Sequence, residues 1–268
     1  MKPQIKEQAT EIDRSFGIGK DYDVTRSGDW VGVFDKGHGK HQVVRSDAHL
    51  ICLPDGLRYP IVRFLGSDNF LVVDSRTDLG RPNGMIINRE GTVRSTFLAG
   101  DAIDDVVVLG DLIAVTYFDE GVFGEHPPSN EGIAFFDFEG RFVWGYRTGM
   151  AGSAVDISDC YCAVRVNHST LAFSAYQTFD IIRIRPHERS QVVNKLPEEL
   201  HGAGALTTRR ESVYLFSPRE YRGAIVGWEP GAPPVEIAHR TGPLRGLEYG
   251  RFISYGDHGF TVLEIVTS

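Results

Sequence analysis

Residues 59–100 read YPIVRFLGSDNFLVVDSRTDLGRPNGMIINREGTVRSTFLAG. Four runs rich in β-branched and aromatic residues stand out: YPIVRFLG, NFLVVDSR, NGMIINRE and VRSTFLAG. Gly, Pro, Asn or Asp separates each run from the next, as in strands joined by short turns. No helical i, i+3, i+4, i+7 spacing runs through them. The stretch therefore predicts one four-stranded antiparallel sheet.

The pattern repeats along the chain. DDVVVLG, LIAVTYFD, EGIAFFDFEG and RFVWGYRT form a second group. DCYCAVRV, LAFSAYQT, FDIIRIRP and SQVVNKLP form a third, and GALTTRR, SVYLFSPR, GAIVGWEP and PVEIAHRT a fourth. The last group, LRGLEYG, RFISYGDHG and FTVLEIVTS, stops one strand short. The groups begin near Tyr59, Ala102, Asp156, Gly202 and Leu244, at intervals of roughly 40 to 55 residues. Four strands per unit at that period predict an all-β chain folded as a β-propeller. A β-sandwich does not explain the period. The spacing favours five blades, and GDWVGVFD (28–35) leaves a sixth open. An N-terminal strand within Lys40–Leu53 is expected to complete the last blade and close the ring. Residues 1–25 are expected as an N-terminal arm, with a short helix or loose segment over 1–20. Residues 26–268 then make a single propeller domain.

The paired Gly-His and Trp-Asp signature of WD40 blades is missing. PNGMIINREG (82–91) resembles the Asn-Gly and Asp-Gly turns of regucalcin-type and NHL-type propellers. What that resemblance implies is the propeller fold.

Bulk properties narrow the function. The 268 residues are 41% hydrophobic and 24% charged, enough to bury a core without staples. Net charge is −8, from 36 acidic and 28 basic residues. That argues against nucleic acid and anionic membranes as partners, and it permits a basic protein. No run approaches the ~20 apolar residues of a membrane span. The polar start, MKPQIKEQATEIDRSFGIGKDYD, holds no apolar signal-peptide core. Three cysteines, Cys52, Cys160 and Cys162, make no disulfide framework and suggest a reducing compartment. A cytoplasmic location is expected.

Propeller topology says where a site belongs. The link entering the first strand of a blade and the link leaving its second strand open on one face. Those links carry Asp101, Asp104, Asp105, Asp159 and His201 on one side. On the other they carry Arg76, Tyr117, Phe118, Asp119, Glu120, Tyr176, Asp257 and His258. The segment GDAIDD…YFDEGVFGEHPPSNEG is the most distinctive, because a turn does not need two aromatics beside two carboxylates. Its loop from Asp119 to Asn130 exceeds an ordinary hairpin connection.

Three chemistries compete for this mouth. In the first, Asp104, Asp119, Glu120 and Asp159 hold calcium or another divalent cation through oxygen ligands. In the second, a carboxylate pair hydrolyses a glycosidic bond, with Asp119, Glu120 and Asp159 as candidates and His258 as a proton carrier. In the third, Tyr117, Phe118, Phe123 and Tyr176 anchor a protein partner whose basic groups meet the carboxylates. Against all three stands a purely structural role, in which Asp at a blade's start accepts turn N–H groups. No Gly-x-Ser-x-Gly elbow, His-Glu-x-x-His helix or phosphate loop appears. His38, His41 and His49, around KGHGKH, read as a glycine-rich turn. IIRIRPHER reads as a salt-bridged or solvated outer face, and Trp144 and Trp228 read as packing residues.

The sequence thus favours a non-catalytic protein that binds a protein partner and needs no cofactor. Immunity proteins that mask basic toxins share its charge and compartment. The expected binding residues are Asp101, Asp104, Asp105, Tyr117, Phe118, Asp119, Glu120, Phe123, Asp159, Tyr176, Asp257 and His258. The alternative is a divalent-metal-dependent hydrolase or lyase, glycosidases included.

Overall fold

The computed structural model describes residues 3–78, 80–124 and 127–266. Strand β1 is Gln4–Glu11. β2 (Ile18–Val24), β3 (Trp30–Asp35), β4 (His41–Arg45) and β5 (Leu50–Cys52) make blade 1. β6 (Pro60–Leu65), β7 (Asn69–Asp74), β8 (Gly84–Asn88) and β9 (Val93–Phe97) make blade 2. Blade 3 is β10 (Ile103–Leu109), β11 (Leu112–Tyr117), β12 (Ile133–Asp137) and β13 (Phe142–Gly145), with helix α1 (Asp119–Val122) between β11 and β12. Blade 4 is β14 (Asp159–Asn167), β15 (Thr170–Tyr176), β16 (Ile181–Arg185) and β17 (Ser190–Asn194). Blade 5 is β18 (Ala205–Arg209), β19 (Ser212–Phe216), β20 (Ala224–Trp228) and β21 (Val235–His239). Blade 6 takes β22 (Arg245–Leu247), β23 (Arg251–Gly256) and β24 (Gly259–Val266), and its outer strand is β1.

The fold is therefore a six-bladed β-propeller. The additional blade, blade 1, comes from residues 18–52, so six blades are found where the spacing favoured five and left a sixth open. GDWVGVFD is the second strand of that blade, and the KGHGKH turn is its hairpin between β3 and β4. β2, IGKDYDV, mixes charge with apolar residues and hides its strand character. The closing strand is also corrected. Lys40–Leu53 falls within blade 1, and the strand that completes the last blade is Gln4–Glu11. Its polar sequence suits an edge strand with one covered face, and only Ile5 and Thr10 turn partly inward. Among the described residues no helix is long and apolar enough to cross a membrane.

Two compact units divide the chain. The first holds Thr10–Tyr146 together with Tyr255–Phe260. In it, Val31, Val33, Val43 and Ile51 of blade 1 pack with Val62, Phe70, Val72 and Ile87 of blade 2. The other face of blade 2, through Leu71, Val73, Ile86 and Phe97, packs on Val106, Ile113, Val115 and Phe136 of blade 3. Apolar cover on both faces explains why β7 and β11 read as near-continuous apolar runs while β9 is largely exposed. Tyr22 meets Phe34, Tyr255 and Phe260 at centroid distances of 5.5, 5.9 and 5.4 Å, tying the Tyr255–Phe260 turn to blade 1.

A charge sits in the middle of this unit. Arg63 of β6 is 4% exposed and bonds Asp21 of β2 and Asp105 of β10 at once. Its Nε donates to the Val106 carbonyl at 2.8 Å. Asp21 also accepts the Val62 N–H at 2.9 Å, and Asp105 accepts the Val106 N–H at 2.7 Å. Burial opposes the guanidinium's charge, yet Asp21, Asp105 and Asp23 overcome it and raise the pKa above the ordinary arginine value.

The second unit holds Arg147–Ser254 with the terminal stretches up to Ala9 and from Thr261. Cys162, Val164, Ala172 and Ile181 of blade 4 pack with Leu206, Leu215, Val226 and Trp228 of blade 5. Ala205, Tyr214, Phe216 and Ile225 pack with Phe252, Leu263 and Ile265 of blade 6. Cys160 and Cys162 are buried thiols outside any disulfide, as expected, though a register shift between them breaks the simple alternation. Arg165 of β14 pairs with Glu248 beyond β22, with Nε–Oε2 at 2.8 Å. Arg183 and Arg185 pair with Glu211 and Glu188.

Replacing Arg63 with Met leaves two buried carboxylates without their cation. Urea unfolding should show a loss of about 3–5 kcal/mol, the cost of breaking a buried ion pair from one side. A loss below ~1 kcal/mol would contradict the account.

Hairpin turns add an acid sensitivity. The Gly37 N–H, 2.7 Å from Asp35, lowers that carboxyl's pKa against the smaller opposing effect of burial. At Asp137 burial pushes up, but the Arg141 and Glu139 N–H groups and the Arg141 side chain win, so its pKa is also lowered. Lowered carboxylates stabilise the fold above their unfolded pKa, near 4, and lose that contribution as pH falls through the folded value. Stability should therefore fall below about pH 4. Asp35→Asn and Asp137→Asn should each flatten that decline in denaturant titrations.

Candidate functional site

A pocket of about 140 Å³ opens in the first unit between blades 2 and 3. Described residues of three links build it: Thr77 and Gly80 after β7, Leu98, Gly100 and Asp101 before β10, and Glu120, Gly121, Gly124, Pro127 and Ser129 after β11. These are the link types that propeller topology places on one face, and here they are in contact. The Ile103 N–H donates to the Ser75 carbonyl at 3.0 Å, and the Phe118 N–H to the Ala102 carbonyl at 3.0 Å.

Arg76 organises the wall. Its Nε lies 3.2 Å from Asp101, its Nη1 binds Glu120, and its guanidinium sits 5.6 Å from the Phe118 ring centroid. The hydrogen bond to Glu120, with the charge of Asp101, outweighs burial and raises its pKa. Asp101 also accepts the Thr77 N–H at 2.9 Å, and its own N–H donates to Ser129 Oγ at 2.8 Å. Below the pocket, the buried Tyr117 hydroxyl donates to the Ala99 carbonyl. Burial, helped by the Glu131 charge, holds that phenol well above its ordinary pKa, so it remains a donor.

Two glycines allow this close approach. Gly100 has φ +101°, and a side chain there would meet Ser129 and Tyr117. At Gly121 a Cβ would lie 2.5 Å from the Asp101 carbonyl oxygen.

The predicted residues fall into separate places. Asp101, Phe118 and Glu120 come together around Arg76. Asp119 is exposed and accepts the Glu120 N–H at 2.8 Å. Phe123, just past α1, is 72% exposed. Asp105 and Tyr117 face the interior, and Asp104 is exposed on β10. Asp257 and His258 form the exposed turn between β23 and β24, where their carbonyls accept the Gly19 and Ile12 N–H groups. Asp159 and Tyr176 belong to the second unit, paired across β14 and β15. Glu125 and His126, in the loop singled out by sequence, lie outside the described residues. Among the described residues, no group of three or more His, Cys, Asp or Glu side chains is placed to hold a metal ion. The structural role for Asp is present too: Asp74 accepts the Arg58 and Tyr59 N–H groups at 2.9 and 2.7 Å.

Sequence reasoning left Arg63 unremarked and placed Arg76 in a mouth link without a role. Each is the natural counter-charge to a carboxylate on the neighbouring blade. That signal becomes readable only once the blades are aligned.

Fold and pocket together define a six-bladed propeller with a small pocket between two blades. No family model matches the chain, and no curated protein matches it. Solved structures do. Virginiamycin B lyase from Staphylococcus aureus is 11% identical, with a TM-score of 0.59, covering 98% of this chain and 100% of that one. A streptogramin B lyase is 9% identical, with a TM-score of 0.57 and 98% of each chain covered. An auxiliary nutrient binding protein from Bacteroides thetaiotaomicron is 11% identical, with a TM-score of 0.57, covering 98% of this chain and 77% of that one. At these identities the likeness is one of fold.

Gly121→Ala should force α1 away from Asp101. We expect a loss of about 1–3 kcal/mol in urea unfolding, typical of overpacking. An unchanged midpoint would show that α1 is not held against the Asp101 backbone.

Proposed function

We propose that the chain is a non-catalytic, cytoplasmic recognition protein that holds a basic protein partner at the mouth of blades 2 and 3. One observation carries this reading. Phe123 stands 72% exposed at the end of α1, its chain neighbours Gly121 and Gly124 line the pocket, and the carboxylate of Asp119 on the same helix is exposed. A large aromatic on a held element, with carboxylates around it, has the chemistry of an interface anchor. Burying such a ring against a partner contributes about 2–3 kcal/mol. The net charge of −8 favours a basic protein over nucleic acid or an anionic membrane. The pocket's volume suits one inserted side chain better than a drug-sized ligand, whose sites run to roughly 300 Å³ or more.

Further support comes from how the carboxylates are committed. Asp101 and Glu120 share Arg76, and Asp105 is bound by Arg63. A general acid or nucleophile would need a carboxylate turned toward a substrate. The hydrolase or lyase alternative, with calcium or another divalent ion, draws only on the shared fold of the lyases. Masking of a basic toxin, as immunity proteins do, is one form the favoured reading can take.

Affinity capture with the full chain, from the cells that produce it, tests the proposal. A basic protein should co-purify, and Phe123→Ala and Asp119→Lys should each reduce its recovery at least about tenfold. Both variants should keep the wild-type unfolding midpoint. Undiminished capture by both would remove the proposed surface. A divalent ion retained stoichiometrically by the purified chain would favour the alternative.

A further inference from the structure

The second unit carries a ring cluster built largely from the same two kinds of link. Tyr176 ends β15, Phe179 lies in the link to β16, and His201 lies in the link entering β18. Tyr161 joins them from β14, at the register shift between Cys160 and Cys162. Such bulges re-aim side chains and are frequent beside functional sites.

The four rings form one contiguous cluster. Tyr161 and Tyr176 are 6.3 Å apart by centroid, Tyr161 and Phe179 5.6 Å, and Tyr176 and Phe179 5.4 Å at 79°. His201 stacks on Phe179 at 5.1 Å and 27°. A core cluster of this size would be sealed, but this one is open. Tyr176 is 44% exposed, and the other three rings are half-buried. Phe179 also holds a left-handed backbone, φ 57°, which an aromatic residue adopts at a cost. The fold accepts that cost and still leaves aromatic surface in water.

Polar groups beside the rings narrow the ligand. His201 Nε2 lies 3.2 Å from the Leu196 carbonyl, which can only accept, so Nε2 carries the proton. In the neutral ring Nδ1 is then an acceptor. Asp159 is the register partner of Tyr176 across the β14–β15 ladder, which brings a carboxylate within a side chain's reach of the exposed ring. An aromatic face, a nitrogen acceptor and a carboxylate together match a planar cation that only donates hydrogen bonds. Guanidinium is that group: flat, permanently charged, weakly hydrated and suited to stacking.

We infer that the Tyr161–Tyr176–Phe179–His201 cluster, with Asp159, is a second recognition site that stacks an arginine side chain. The inference narrows the basic-partner reading to arginine and rests on it to that extent. Its residues, however, are separate from Phe123, Asp119 and Glu120.

The test uses the full chain and a Gly-Arg-Gly peptide blocked at both ends. Its control replaces arginine with citrulline, which has the same shape and no charge. Ring signals of Tyr176 and His201 are followed by NMR during titration. The arginine peptide should shift them with at least about tenfold higher apparent affinity than the citrulline peptide. Tyr176→Ala should weaken binding about tenfold, and Phe123→Ala should leave it unchanged. Equal response to both peptides, no response, or a response that survives Tyr176→Ala would overturn the inference. If partner capture depends on Phe123 while Tyr176 stays silent to arginine, this site falls and the blade 2–3 reading stands. If Tyr176 responds selectively while capture ignores Phe123 and Asp119, the reverse holds.

Discussion

Arg63 is the residue on which the first unit turns. Its guanidinium joins the first strands of blades 1, 2 and 3 through Asp21 and Asp105, with the Val106 carbonyl as a further acceptor. Apolar packing between blades is strong but indifferent to register, since one Val–Ile contact resembles another. A buried cation with two carboxylate partners is not indifferent. A slip of one residue would send Arg63 to the opposite face and leave all three charges unpaired. The hydrophobic clusters thus supply most of the stability, while the ion set selects one alignment of the three strands.

That alignment has a consequence at the mouth. Once β6 and β10 are aligned across the two blades, Ser75 and Thr77 beyond β7 meet Ile103 and Asp101 at the start of blade 3. Arg76 then reaches Asp101 and Glu120, and Gly121 seats α1 against the Asp101 backbone. Phe123, directly after α1, is exposed. The same pairing of links in the second unit brings Phe179 under His201. One topological rule therefore yields two side-chain clusters, one ionic and one aromatic, and the difference lies in the side chains that the loops carry.

Much of this was legible in the sequence, for identifiable reasons. Blades 2 to 5 announce themselves because their second strands are covered on both faces and must be apolar throughout, as in NFLVVD and LIAVTY. Blade 1 is fainter, because β2 spends its positions on Lys20, Asp21 and Asp23, the latter two facing Arg63. β1 is fainter still, since a polar edge strand and a polar arm have the same composition. At the site, the rule for which links share a face located YFDEG and Asp101 correctly beside each other. The internal pairing of the carboxylates was not legible. Arg63 and Arg76 are 42 and 25 residues from Asp105 and Asp101, and only the packing of blade 2 on blade 3 brings them together.

The most direct test of recognition at this mouth places a photo-crosslinking phenylalanine analogue at position 123 of the full chain, in the cells that produce it. The same analogue at Val143, on the exposed outer strand β13, serves as the control. One dominant crosslinked protein of basic composition at position 123, absent at 143, is the predicted result. No adduct at 123, or the same adducts at both positions, would contradict the account.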